Sequence, residues 1–201
     1  MPAAEITASA PSSEAAVREL FPGATILRPS VVFGPEDDFF NRFATLARFL
    51  PALPLIGGGN TRFQPVYVGD VADAALAALD HAEAPGRIYE LGGPEVLTLR
   101  QLMELTLREC QRRRLLLNLP FGLASLEAAF LEWLPKPPLT RDQVKLLRRD
   151  NVVAPGMAGL ADLGITPTAM ELVLPLYLDR FRRGGRSRAA DRTAAAGPSH
   201  G

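Results

Sequence analysis

Apolar and polar positions change along the chain between the two-residue spacing of strands and the three-to-four-residue spacing of helices. Strands are predicted at Ala24–Phe33, Phe63–Val68, Arg87–Leu91 and Leu115–Leu119. Helices are predicted at Glu14–Leu20, Phe39–Leu50, Asp70–Asp80, Thr98–Arg113, Gly122–Trp133, Arg141–Arg149, Gly159–Leu163 and Thr168–Phe181. Strands that alternate with helices in this way predict an α/β fold with a parallel sheet.

Polar residues and turn formers mark the ends of several elements. Asp70 is predicted to cap the helix that it begins, and Thr98 with Gln101 has the pattern of a capping box. Gly57–Asn60 is predicted to be a plain turn, because it lacks the Lys and Ser/Thr of a phosphate-binding P-loop. We expect residues 13–181 to be ordered between a poorly ordered lead-in, residues 1–12, and a disordered tail, residues 182–201.

Composition excludes some classes of function. Lys plus Arg and Asp plus Glu both number 22, so the chain has no net charge that favours nucleic acid as a partner. The single cysteine, Cys110, is expected in the core, and the two histidines form no recognisable metal site. No secretory signal is recognisable at the start, and Leu115–Leu134 is too interrupted to span a membrane. These features favour a reducing, cytoplasmic compartment.

Three segments carry a family resemblance: Leu27–Pro35, Gln64–Ala74 and Tyr89–Pro94. In this order they resemble the second half of an extended or atypical short-chain dehydrogenase/reductase of the NAD-dependent epimerase/dehydratase superfamily. Within it the chain is most similar to the branch that contains the nucleotide-binding accessory subunit of respiratory complex I and its bacterial relatives. The resemblance implies a partial Rossmann-like unit, made of the later strands and helices, plus a smaller C-terminal substrate-side subdomain.

The same resemblance implies that the N-terminal dinucleotide-binding half is missing. Gly23 is the first glycine, so no glycine-rich turn precedes the first predicted strand. The Tyr-x-x-x-Lys pair of the family would fall on Ile6 and Ala10, which cannot transfer a proton or lower a tyrosine pKa. No catalytic residue is therefore expected. The parent family uses NADP or NAD, and this chain alone is expected to bind them weakly or not at all.

The resemblance also implies binding residues at the end of the first predicted strand. Pro29, Ser30 and Val31 would line the cofactor near its nicotinamide end. A substrate pocket would contain Phe33, Arg62 and Gln64, although Arg62 lies one position before the phosphate-binding arginine of extended relatives. Packing of the strand end, and surface exposure of Gln64, are the structural alternatives.

Three further sequence features have structural or functional interpretations. Arg28 is expected to pair with a carboxylate at the end of the sheet. Arginines 112–114, 148–149, 182–183, 186 and 188 would be solvated, or would contact acidic lipid headgroups or a partner. The apolar stripe Leu123, Leu126, Ala129, Phe130, Trp133 and Leu134 is expected to pack in the core or a lid rather than on a membrane.

Three functions remain open from the sequence. The first is a non-catalytic accessory or nucleotide-sensing protein with a respiratory-complex or membrane-associated partner, attached at the inner face of a membrane. The second is the C-terminal half of an NAD(P)-dependent epimerase, dehydratase or reductase. The third is a truncated reading frame without independent function.

Overall fold

The computed structural model describes residues 14–131 and 141–182. Its helices are α1 (residues 14–20), α2 (Asp38–Phe49), α3 (Val68–Asp80), α4 (Leu99–Glu109), α5 (Phe121–Leu131), α6 (Arg141–Leu146) and α7 (Met170–Leu178). Its strands are β1 (Ile26–Pro29), β2 (Val32–Phe33), β3 (Ala52–Ile56), β4 (Arg62–Phe63), β5 (Val66–Tyr67), β6 (Ile88–Leu91), β7 (Leu97–Thr98) and β8 (Leu115–Leu119). Short 3₁₀ turns cover Gly57–Gly59, Ala161–Leu163 and Asp179–Phe181.

The strands form short pairs, and three of the four described pairs are parallel. β1 pairs with β6, β2 with β5, and β3 with β8, all in parallel, whereas β4 and β7 are antiparallel. Parallel pairs need a crossover between their strands, and helices occupy the chain between the partners in each case. The predicted α/β class is therefore confirmed.

Two main clusters of buried side chains hold these elements together. The larger cluster joins α2, β3, α4 and α7 through residues such as Phe40, Leu53, Met103 and Leu174. The smaller one lies between the β1–β6 pair, α3 and the Ala161–Leu163 turn, and includes Tyr89. Cys110 is buried in the larger cluster, as the sequence predicted, and burial raises the pKa of its thiol to about 11.

Prolines explain why the predicted strand boundaries are partly wrong. Ala24–Phe33 is two strands, β1 and β2, with different partners. The Ile26 amide donates to the Arg87 carbonyl, just before β6, and the Ser30 amide donates to the carbonyl of Leu91, the last residue of β6. The backbone nitrogen of Pro29 therefore faces the opposite edge, where no N–H is required. That edge of β1 has no strand partner among the described residues.

Strand β3 also contains a proline that faces away from the paired strand. The prolines are the reason that the sequence did not predict this strand. No strand is predicted at Ala52–Ile56, where the sequence has Pro51 and Pro54. The Leu115 amide donates to the Pro51 carbonyl, and alternation then turns the Pro54 ring away from β8. A proline at the unpaired edge of a strand removes no ladder hydrogen bond.

Other predicted boundaries need correction. The strand predicted at Phe63–Val68 is two strands, β4 and β5, and Val68 already belongs to α3. Asp70 therefore lies in the first turn of α3 and is not its N-cap, a position held by Tyr67. The capping box of Thr98 and Gln101 is confirmed.

The predicted packing of the apolar stripe on α5 is wrong for its first two members. Leu123 and Leu126 are each 57% exposed, because α5 packs through Ala124 against Ile56 and Val144 instead. The side chains of the rest of the stripe lie outside those that the structure describes.

Candidate functional site

The carboxyl end of β1 meets β4, β5, β6 and residues 150–154 in a network of polar contacts. The Ser30 hydroxyl donates to the Asn151 carbonyl at 2.7 Å. The Gln64 amide N–H donates to the same carbonyl at 3.1 Å and lies 3.4 Å from the Ser30 hydroxyl oxygen. Ser30, Gln64, Gly93 and Asn151 are called the Gln64 junction below. Two predicted site residues, Ser30 and Gln64, therefore come together here.

The side-chain amide of Gln64 connects two segments that are distant in sequence. Its Nε2 donates to the Gly93 carbonyl at 2.8 Å, and its Oε1 accepts from the Val153 amide at 3.1 Å. Each end of a carboxamide has capacity for one more hydrogen bond. Gln64 therefore holds the junction together, and these two bonds use one of its two amide hydrogens and one of the two acceptor positions of its oxygen.

Close approach of neighbouring atoms explains the two glycines, Gly92 and Gly93, at the end of β6. A Cβ on Gly93 would lie 1.9 Å from the Pro65 carbonyl oxygen. A Cβ on Gly92 would lie 2.5 Å from the Gln64 side-chain carbon Cδ. Any larger residue at either position would separate the end of β6 from β4 and β5.

Arg28, near the carboxyl end of β1, forms ion pairs next to the Gln64 junction. Its guanidinium pairs with Glu14 of α1 and, at 3.4 Å, with Glu90 of β6. The hydrogen bond from Arg28 lowers the pKa of the Glu14 carboxyl below its ordinary value. Glu90 also accepts from the Ala154 amide at 2.8 Å. The expectation that Arg28 pairs with a carboxylate at this end is confirmed.

The remaining predicted residues lie around the junction rather than inside it. Pro29 is exposed beside Ser30, and the Val31 carbonyl accepts from the Val66 amide at 2.9 Å. Arg62 pairs with Asp150 at 2.8 Å, and the hydrogen bonds from Arg62 lower the pKa of the Asp150 carboxyl. Phe33 is fully buried in the larger cluster and packs against the ring of Tyr67.

Sequence reasoning missed the part played by residues 150–154. Asn151 contributes backbone groups to the junction, and Asp150 holds Arg62. The Asn151 contacts are made by its backbone and so carry no side-chain signature, and Asp150 lies 88 positions from Arg62, too far for a sequence pattern to link them. Ile6 and Ala10, at the positions that the resemblance assigns to Tyr and Lys, lie outside the described residues.

The described residues contain neither a cluster of metal ligands nor a membrane-spanning helix. Within residues 14–131 and 141–182, no three His, Cys, Asp or Glu side chains are grouped so that they could hold a metal ion. In the same ranges, every helix is too short or too polar to cross a membrane.

Comparison with known proteins gives consistent matches. Residues 14–92 match the model of the NAD dependent epimerase/dehydratase family. The chain is 36% identical to NADH dehydrogenase (ubiquinone) 1 alpha subcomplex subunit 9, mitochondrial, of Arabidopsis thaliana, over 87% of this chain and 46% of that protein. The Mus musculus protein of the same name is also 36% identical, over 84% of this chain and 45% of its own length. The chain spans less than half the length of these two curated relatives.

Solved structures agree on the fold. A UDP-glucose 4-epimerase of Thermus thermophilus in complex with NAD matches with a TM-score of 0.56 and 20% identity, over 85% of this chain and 50% of that one. A dTDP-glucose 4,6-dehydratase of Bacillus anthracis in complex with NAD matches with a TM-score of 0.56 and 17% identity, over 96% of this chain and 53% of that one. At such identities the likeness concerns architecture alone.

Proposed function

Because the chain belongs, through residues 14–92, to the NAD dependent epimerase/dehydratase family, we propose that it is a non-catalytic accessory component of a respiratory NADH dehydrogenase. The observation that carries this proposal is the 36% identity to the alpha subcomplex subunit 9 over 87% of the chain. The partner is then a respiratory complex, and the place of action is the inner, cytoplasmic face of a membrane.

The polar groups at the sheet end support a binding role rather than a catalytic one. Arg28 and Glu90 are paired with each other, and Ser30 and Gln64 are bonded to backbone groups. A general acid needs a proton-donating group aimed at the reacting atom. The residues that the family resemblance places at those positions, Ile6 and Ala10, have no such group.

The cofactor part of the proposal is a limited contact with NAD or NADP. In the parent fold the pyrophosphate binds at a glycine-rich turn that opens a helix, and this sequence contains no G-x-G-x-x-G pattern. Pro29, Ser30 and Val31 would line the nicotinamide end, and Phe33, Arg62 and Gln64 would be the residues on the substrate side. The chain alone then binds the dinucleotide weakly.

The test of the accessory role is comigration with NADH dehydrogenase. The chain is tagged at its own gene, the membranes are solubilised in a mild detergent, and complexes are separated on a native gel stained for NADH oxidation. We expect the tagged chain in the active band. Its absence from that band, together with recovery in another fraction, would refute the accessory role.

The test of the cofactor proposal is a titration of the purified chain with NADPH, followed by nucleotide fluorescence. We expect no saturation in the micromolar range, because the pyrophosphate site is not in this sequence. Saturation at low-micromolar NADPH would contradict the proposal. In that case, Ser30→Ala would show whether the Gln64 junction is the site.

A further inference from the structure

The outer face of the β3–β8 pair is apolar and only half covered. The register places Ala52 beside Leu115, Pro54 beside Leu117 and Ile56 beside Leu119, and alternation puts all six on one face. The opposite face, with Leu53 and Leu55, packs into the larger cluster.

Helices α5 and α6 cover only the carboxyl-terminal half of this outer face. Ile56 is buried against Ala124 and Val144, and Leu119 packs against the same cluster. In contrast, Leu115 is 69% exposed and Leu117 is 56% exposed. The amino-terminal half of the face therefore exposes two leucines.

The end of α2 enlarges the exposed apolar surface. The Leu115 amide donates to the Pro51 carbonyl, which brings the residues just before β3 next to Leu115. Among these, Phe49 is 74% exposed and Leu50 is 41% exposed. Phe49, Leu50, Leu115 and Leu117 are called the apolar end below.

Arginines surround the apolar end. The Arg48 guanidinium lies 5.6 Å from the centre of the Phe49 ring, and Arg113 is exposed two residues before Leu115. Arg114 is fixed beside them, because its Nε donates to the Ala47 carbonyl at 2.8 Å. Within residues 14–131 and 141–182, Arg48, Arg113 and Arg114 make no ion pair with a carboxylate.

Two carboxylates of the neighbouring helix ends pair with another arginine. Glu109, at the end of α4, and Asp179, after α7, are both paired with Arg182. Exposed apolar side chains bordered by unneutralised cations are typical of a surface that binds anionic lipid. The apolar groups enter the acyl boundary while the guanidinium groups remain at the headgroups.

Charge distinguishes the apolar end from other exposed leucines. On α3, Leu76 and Leu79 are 64% and 82% exposed, but Asp73 and Asp80 lie on the same helix. On α7, Leu172 and Leu176 are exposed beside Glu171. Carboxylates next to apolar groups oppose binding to an anionic surface.

We propose that the apolar end and its arginines, Arg48, Arg113 and Arg114, dock the protein on an anionic phospholipid bilayer. The contact is peripheral, and its orientation brings the amino-terminal ends of β3 and β8 to the lipid. It requires neither nucleotide nor a respiratory subunit.

The experiment is flotation of the full chain with phospholipid vesicles. Neutral vesicles of phosphatidylcholine are compared with vesicles of equal parts phosphatidylcholine and phosphatidylglycerol, at low and high salt. We expect binding to the anionic vesicles alone, and we expect salt to weaken it. Leu115→Gln with Leu117→Gln should weaken binding at least about tenfold, and Arg48→Gln with Arg113→Gln by about tenfold or more.

Matched variants control for nonspecific adhesion and for unfolding. Leu76→Gln with Leu79→Gln removes two leucines on α3 that are at least as exposed on average, and Arg87→Gln with Arg100→Gln removes two ion-paired arginines elsewhere. Both control pairs should bind the anionic vesicles as the unchanged chain does. Circular dichroism and thermal midpoints confirm that every variant is folded.

Several results would overturn the proposal. One is no binding to anionic vesicles, and another is equal loss in the α3 control pair. A third is a change of oligomeric state in the Leu115 and Leu117 variant without any effect on lipid binding, which would assign the face to a second copy of the chain. Vesicle binding uses no respiratory component, so its failure leaves the comigration test of the accessory role unaffected.

Discussion

The carboxylate of Asp70 accepts two hydrogen bonds from Thr168, one from the backbone N–H and one from the hydroxyl, each 2.7 Å long. The two residues are 98 positions apart, and Asp70 is buried in the first turn of α3. This contact joins α3 to the segment that precedes α7. It therefore connects the part of the chain near the Gln64 junction to the C-terminal helix.

Asp70→Ala should lower the free energy of unfolding by about 2–3 kcal/mol, because the Thr168 amide loses its acceptor in a partly buried place. Urea unfolding measures this loss. The combination with Thr168→Val should cost less than the sum of the two single changes, by about 1 kcal/mol. Asp73→Ala, on the exposed side of α3, is the control and should change stability by less than about 0.5 kcal/mol. Additive effects of Asp70 and Thr168 would contradict the coupling.

Asp37 should make stability depend on pH. Its carboxylate caps α2 by accepting from the Phe40 amide, and its second oxygen accepts from the Tyr177 hydroxyl at 2.6 Å. Burial raises the pKa of Asp37 in the folded protein, although these hydrogen bonds lower it in part. The folded state then binds the Asp37 proton more tightly than the unfolded chain does. This contribution to stability is present below the ordinary carboxyl pKa and is lost as pH rises through the raised pKa.

Asp37→Asn removes this titration and retains a residue that caps helices well. The stability of Asp37→Asn relative to the unchanged chain should therefore increase as pH rises above about 4, the ordinary aspartate pKa. Burial keeps the pKa of Tyr177 well above its usual value, so Tyr177 remains a donor throughout. Urea unfolding at a series of pH values measures the difference in stability between the variant and the unchanged chain. Asp38→Asn, at the exposed neighbouring residue, is the control. A difference that does not vary with pH would exclude Asp37 as the source.

Gly93→Ala should destabilise the protein by about 3 kcal/mol or more, because its Cβ would lie 1.9 Å from the backbone oxygen of Pro65. Backbone atoms cannot rotate away as side chains do. Gly122→Ala is the matched control, since a Cβ there meets nothing within 4 Å and the residue lies in α5. That control should be neutral or more stable by up to about 1 kcal/mol. Thermal unfolding of the two variants tests the close approach, which equal midpoints would disprove.

Gln111→Gly should stabilise the protein by about 0.5–1 kcal/mol. Gln111 follows the end of α4 and has a φ of 51°. Its amide donates a hydrogen bond to the Arg108 carbonyl, and the Arg112 amide donates to the Leu107 carbonyl. This is the helix-ending motif in which glycine is preferred, because a side chain is unfavourable in the left-handed conformation. Gln111→Ala is the control and should not gain stability. A loss of stability in the glycine variant would mean that the Gln111 side chain makes a contact of its own.

Local signals predicted most helices but not all strand boundaries. The capping box of Thr98 and Gln101 acts within one helical turn, and the structure confirms it. Aspartate is an equally good N-cap residue, yet the Asp70 carboxylate accepts hydrogen bonds from Thr168 instead. A helix cap needs only the amides of the same helical turn. The partner of Asp70, in contrast, is 98 positions away in the sequence.

By itself, the sequence determined the α/β class, the burial of Cys110 and the family resemblance of three segments, because periodicity, residue type and motif order are properties of the chain. Only the tertiary structure decided that Ser30 and Gln64 meet at the Asn151 carbonyl, that the backbone nitrogens of Pro29 and Pro54 face away from the strands paired with them, and that Leu115 and Leu117 stay exposed. The physical reason is that these outcomes depend on which segment packs opposite, and that contact is made between residues far apart in sequence.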